Sequence, residues 1–110
     1  MGKFIISQRT NKEYQFNLKA GNGEIILTSE GYVQKASCQK GIESVKVNSQ
    51  DDSKYDRRVA VNGKDYFVLK ARNGEIIGKS QLYSSKSGME NGIASVKFNA
   101  STAAIVDETL

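Results

Sequence analysis

Apolar and polar positions alternate from Tyr14 to Ala20, with Tyr14, Phe16, Leu18 and Ala20 on one face and Gln15, Asn17 and Lys19 on the other. That period of two is the mark of a half-buried strand. Asn22-Gly23 and Asn73-Gly74 then supply residues that tolerate positive φ directly before the β-branched runs Ile25-Ile26-Leu27 and Ile76-Ile77, which predicts a hairpin at each. Asn62-Gly63, between Val59-Ala60-Val61 and Tyr66-Phe67-Val68, is a third hairpin signal, and Thr10-Asn11-Lys12 stands at a similar point early in the chain. Each half is therefore expected to open with three antiparallel strands.

The period then changes. Cys38, Ile42 and Val45 are spaced four and three apart, as are Met89, Ile93 and Val96, which predicts one apolar stripe on each of two helices. These helices are expected from about Gln34 to Asn48 and from about Ser85 to Asn99. Ser84 or Ser85 supplies the second N-cap, and Asn48 and Asn99 act as terminators because Asn tolerates the left-handed conformation. Gly41 and Gly92 run against helix propensity at about 1 kcal/mol each relative to Ala; close approach to the sheet or to the other helix would account for both. A further extended piece follows each helix, Lys54 to Arg58 and Ala104 to Asp107. The first continues to Val61 without Gly or Pro, so one long strand shared by both halves is the expected tie between them.

The halves are copies. A shift of fifty-one residues lays Phe16–Asn48 on Phe67–Asn99 without a gap, and eighteen of the thirty-three positions are identical. A unit of about fifty residues buries too little of its surface to be stable alone, so two repeats, about 1–56 and 57–110, are expected to form a single domain over residues 1–110.

The 110 residues are 38% hydrophobic and 25% charged, an ordinary composition for a folded domain. The formal charge of +4 weakly favours anionic partners, yet no basic run exceeds Arg57-Arg58. Cys38 is the one cysteine, which leaves no intrachain disulfide and suits a reducing compartment, so a cytoplasmic location is expected. The apolar run in Met1–Ser7 is too short for a secretory signal, and no stretch reaches membrane-spanning length.

Histidine is absent, which removes Ser-His-Asp and Cys-His catalysis and imidazole metal sites. Gly21-Asn22-Gly23 precedes a strand rather than a helix and lacks the pattern of a phosphate-binding loop, so it reads as a hairpin turn. Asp51-Asp52-Ser53 lacks the spaced ligands of a calcium loop. Glu24 with Glu75 is the one repeated carboxylate pair, and strand-end exposure explains it without catalysis. Cys38 lies on an apolar stripe and aligns with Met89, as a small core residue does. No catalytic residue, cofactor site or metal site is expected, and the chain is read as not an enzyme.

Leu18-Lys19-Ala20-Gly21-Asn22-Gly23-Glu24-Ile25-Ile26-Leu27-Thr28-Ser29-Glu30 and Lys40-Gly41-Ile42-Glu43-Ser44-Val45, with the second copy from Tyr66 to Tyr83 and from Gly92 to Lys97, strongly resemble the YegP-like family of small bacterial proteins. The resemblance covers nearly the whole chain. It implies an α+β fold in which two tandem β-β-β-α-β repeats share one antiparallel sheet, two helices pack on one face, and the C-terminal strands are exchanged between repeats. It carries no function, the family being uncharacterised. A two-copy chain of this kind is expected to be a monomeric pseudo-dimer.

The leading functional expectation is a non-enzymatic binding or structural module with a partner still unknown, protein before nucleic acid, and no membrane. Repeated polar residues that burial need not explain are the candidate contact surface: Lys19 and Lys70, Asn22 and Asn73, Tyr32 and Tyr83, Lys35 and Lys86, Lys46 and Lys97. Tyr32 and Tyr83 also have a packing role open to them at the strand-to-helix turn. The alternative is weak, sequence-independent nucleic-acid binding on the outer sheet face, with Lys19 and Lys70 on phosphates and Tyr66 stacked on a base.

Overall fold

A computed structural model describes residues 2–110. The four turn signals form one kind of loop. Gly23, Gly63 and Gly74 have φ of 85°, 81° and 87°, and Lys12 takes the same left-handed place at 69°. In each loop the asparagine before that residue accepts the backbone N–H two residues on, as in Glu24 N–H to Asn22 Oδ1 and Glu75 N–H to Asn73 Oδ1, both 3.0 Å. The early turn places a side chain, that of Lys12, at positive φ, and is held without glycine by the same asparagine contact, Glu13 N–H to Asn11 Oδ1.

The turns join strands β1 (Lys3–Gln8), β2 (Tyr14–Lys19) and β3 (Ile25–Thr28) in the first repeat, then β4 (Tyr55–Val59), β5 (Asp65–Lys70) and β6 (Ile76–Lys79) in the second. Helices α1 (Lys35–Asn48) and α2 (Lys86–Ala100) follow β3 and β6, and β7 (Ala104–Asp107) ends the chain. All seven strands form one sheet in the order β4-β5-β6-β3-β2-β1-β7. Phe4, Ile6, Phe16, Leu18, Tyr55, Phe67 and Leu69 point to the helices and are buried with Cys38, Ile42, Val45, Met89, Ile93 and Val96.

This is an α+β fold, and three details differ from the sequence expectation. The sheet is mixed, because β7 runs parallel to β1 while the other pairs are antiparallel. A short apolar run specifies a strand but not its direction; here α2 packs over β1 and β3 as well as β5, which brings its end to the free edge of β1. Secondly, the junction strand is not the tie. It spans Tyr55–Val59, begins after a 3₁₀ turn at Asp52–Lys54, and lies at the sheet's outer end paired with β5 alone. The halves meet instead between β3 and β6, at Thr28 opposite Lys79. Both helices reinforce that seam, since α1 lies over β2 and also over β5 and β6. The strand after each helix thus lies in the other repeat's half, with β4 serving at once as the end of one repeat and the start of the next.

The third difference is at the helix ends. Ser85 caps α2 by accepting Gly88 N–H at 3.0 Å, but Gln34 makes no side-chain cap on α1. The C-caps are Ser49 and Ser101, both in right-handed conformation. Asn48 and Asn99 donate back to the carbonyls of Ser44 and Ser95, 2.8 Å each, so they act through the side chain rather than through a left-handed backbone.

The seam also explains a divergence between the repeats. Leu27 is fully buried, and its counterpart is Gly78, where a Cβ would stand 2.6 Å from the Leu27 side chain. Two leucines would overfill the pseudo-axis.

Candidate functional site

The helices cover one face of the sheet. On the other, Lys3, Ile5, Asn17, Lys19, Thr28, Lys79, Val68, Tyr66, Lys70, Asp56 and Arg58 alternate with the core residues, and no described element lies over them. Lys3 stands directly opposite Lys19, and neither has a carboxylate partner among the described residues. A hollow of about 230 Å³ opens there, lined by Lys3, Ile5, Lys19, Ala20, Gly21 and Gly23. In the second half the matching lysine, Lys70, is 3.5 Å from Asp56, which also holds Arg58 at 2.9 Å. These two cations lower the carboxyl of Asp56, the Arg58 hydrogen bond most. Lys79 sits over the Tyr66 ring at 5.1 Å. A second hollow, about 500 Å³, straddles the seam and is lined by Arg9, Ile25, Thr28, Glu30, Lys79 and Gln81 among others.

The ten repeated polar residues do not form one surface. Lys19 and Lys70 share the open face but lie in opposite halves. Asn22 and Asn73 spend their side chains on their own turns. Lys46 and Lys97 lie near the helix ends on the covered side, Lys46 over the Phe4 ring at 6.0 Å and Lys97 over Tyr55 at 5.6 Å with Asp52 at 2.8 Å. Lys35 is bound to Asp107 at 2.9 Å, whereas Lys86 is exposed and has no ion-pair partner among the described residues.

Tyr32 and Tyr83 pack the strand-to-helix turn. Each stacks on a core phenylalanine, Tyr32 on Phe16 and Tyr83 on Phe67, at 6.5 Å between centroids in both cases. Each hydroxyl lies against a helix glycine: a Cβ on Gly41 would stand 2.5 Å from the Tyr32 hydroxyl, and one on Gly92 would come closer still to that of Tyr83. The close approach that Gly41 and Gly92 serve is therefore to these rings, not to sheet backbone or to the other helix. Desolvation raises both phenols above their ordinary value.

Sequence reasoning missed Lys3, Lys79 and Arg58: Lys79 and Arg58 align with Thr28 and Ser7 under the fifty-one-residue shift, and Lys3, whose counterpart is Lys54, lies outside the gapless repeat that starts at Phe16; strand alternation was the signal that places them on the open face. It also missed Ser29 and Ser80, which do repeat. Each buried hydroxyl accepts the N–H of Phe16 or Phe67 and donates to the carbonyl of Glu30 or Gln81, a structural use. Burial pushes the Cys38 thiol up to about 11, helped by the charge of Asp107, so it is a protonated core residue at neutral pH. Among the described residues no group of three or more His, Cys, Asp or Glu side chains is placed to hold a metal ion, and no helix is long and apolar enough to cross a membrane.

Two matches to the family described as Domain of unknown function (DUF1508) fall on residues 10–56 and 60–107, one in each repeat. The chain belongs to the DUF1508 family. Among its relatives, a UPF0339 protein of Acinetobacter baylyi is 55% identical, the match spanning 98% of this chain and 97% of the relative. The UPF0339 protein YegP of Escherichia coli is 49% identical over 98% of each. Its solution NMR structure, described as a protein of unknown function, superposes with a TM-score of 0.93 at 48% identity, covering 97% of this chain and 92% of that one. A UPF0339 protein of Shewanella oneidensis gives a TM-score of 0.91 at 50% identity over 96% and 90% of the two chains. The two solved relatives therefore share this chain's α+β architecture, and none of these descriptions assigns an activity.

Proposed function

We propose that the chain is a non-catalytic cytoplasmic binding module that holds a protein with an acidic surface on the uncovered face of its sheet. The observation that carries this reading is the facing pair Lys3 and Lys19 beside a hollow and without a carboxylate. Like charges directly opposite on neighbouring strands repel, and an incoming carboxylate turns that repulsion into attraction on both sides. The non-catalytic reading is supported by the lack of histidine, the protonated thiol and the placement of Glu24 and Glu75 on separate hairpins. The buried free thiol of Cys38 suits a reducing compartment. Because each helix covers strands of both halves, one chain completes its own core and works as a monomer.

Purified protein and a Lys3→Glu/Lys19→Glu variant, passed over cell lysate at low and high salt, test the reading. A discrete acidic protein should be retained by the parent chain, without nucleic acid, and lost by the variant. Retention that is indifferent to both substitutions defeats the proposal.

A second reading, sequence-independent binding of single-stranded nucleic acid, draws on Tyr66, which lies opposite Arg58 and under Lys79. That grouping joins a stacking ring to two phosphate-binding cations. Its counterpart in the first half is Gln15, so only half the sheet offers the platform. Affinity for single strands should fall steeply with added salt; affinity that ignores salt rules this reading out.

A further inference from the structure

The two ends of the sheet are equivalent by the fifty-one-residue shift, but only one is occupied. Phe4 and Ile6 of β1 lie opposite Leu18 and Phe16, just as Tyr55 and Arg57 of β4 lie opposite Leu69 and Phe67. Along the outer edge of β1 runs β7, parallel, with Ile105 beside Phe4 and Asp107 beside Ile6. Asp107 reaches Lys35 in the first turn of α1 at 2.9 Å, and Glu108 N–H donates to the Ile6 carbonyl at 2.9 Å. Among the described residues no strand pairs with the outer edge of β4. Beside it, between the strand and the first turns of α2, is a hollow of about 180 Å³ lined by Arg57, Arg58, Val59, Asp65, Lys86, Met89 and Glu90. Shifted by fifty-one residues, those positions include Ile6, Lys35 and Cys38, the surroundings of Asp107 in the first half.

We propose that this edge takes up an extended acidic segment of a partner protein, running parallel to β4 with a carboxylate on Lys86, as β7 does with Lys35 on the edge of β1. The occupied end supplies the occupant's chemistry: two apolar residues followed by an acid, as in Ile105-Val106-Asp107. Main-chain pairing supplies affinity and the acid supplies register. Lys86 is the cation left free for it. Arg57 is held by Glu90 and Asp52, and Arg58 by Asp56; Asp65, which also lines the groove, has no ion-pair partner among the described residues and is the one carboxylate there that an incoming acid must avoid. Val59, 63% exposed, offers the apolar contact. This surface is separate from the Lys3 and Lys19 face, and either stands or falls without the other.

The probe is a synthetic peptide with the sequence of residues 103–110 and blocked ends, titrated into the ¹⁵N-labelled full chain. Amide signals of residues 55–59 and of Lys86 should shift together to saturation. Asn in place of the Asp in the peptide, or Lys86→Glu in the protein, should each weaken binding about tenfold, as loss of a charged hydrogen bond does. Lys86 is exposed and opens a helix, where an acid is tolerated, so the variant's thermal melt should match the parent's. Shifts confined to residues 3–6, no shift at all, or affinity unchanged by both substitutions would overturn the proposal. In those cases Arg57 and Arg58 act only as charges that guard an edge against pairing.

Discussion

The two aromatic ladders of the core are near copies, while the edges beyond them are not. Phe4, Phe16 and Tyr32 in one half match Tyr55, Phe67 and Tyr83 in the other, with edge-on contacts at 5.7 and 5.6 Å and stacked contacts at 6.5 Å in each. Outside them, β1 is covered by β7 and carries Ile6, whereas β4 is bare and carries Arg57 at the same place. Tyr55 brings a hydroxyl where Phe4 has none; it donates to the Ser49 carbonyl at 2.8 Å and pins the junction after α1. Packing against the helices has kept the interior of the repeats alike. The edges were free to diverge, one taking on a further strand and one staying bare and charged.

The largest test of that likeness is Phe16→Ala beside Phe67→Ala. Both rings are fully buried, and each variant should lose about 3–5 kcal/mol in denaturant unfolding. Clearly unequal losses would show that one half carries the core. Next come the helix glycines. Gly41→Ala and Gly92→Ala should each destabilise by about 1–3 kcal/mol through crowding of the tyrosine, despite better helix propensity, with Gly92→Ala the worse because its Cβ meets Tyr83 more closely. A gain in stability at either site would mean that the rings swing aside freely.

Smaller effects belong to the edges. Lys35→Gln should speed amide exchange in β7 without changing β4, and Lys86→Gln should leave the amide exchange of β4 and β7 unchanged, as measured by NMR. The Thr109 hydroxyl, followed by Lys35 and the Thr109 N–H, holds the Asp107 carboxyl down to about 2. A depressed carboxyl stabilises the fold above its ordinary range and loses that contribution as pH falls toward the folded value. Protection of β7 should therefore persist at pH 4 and fade toward pH 2. The smallest effect is at Cys38. Its raised thiol contributes stability below the ordinary thiol value of about 8.5, which is lost as pH rises toward about 11. A thiol reagent at neutral pH should react only on unfolding; fast labelling of the native chain would contradict the burial.

Much of this was legible in the chain. Asn-Gly pairs marked the hairpins because so few residues accept positive φ, and Cys38, Ile42 and Val45 marked α1 because a helix buries every third or fourth residue. Gly41 was legible as a close approach, but its neighbour Tyr32 was not: the ring folds back from a turn nine residues earlier, which no periodicity encodes. Of the candidate surface, Lys19 was placed on the open face by alternation, and its cross-strand neighbour Lys3 emerged only once β1 and β2 were in register.

The sequence by itself determined the repeats, their turns, their helices and the face each strand buries, since these follow from steric limits and from burial along a few neighbouring residues. Only the tertiary structure decided which strands became edges, that β7 runs parallel to β1, and that Asp107 meets Lys35. Those pairings join residues far apart in the chain, and they depend on where two helices deliver the segments that follow them.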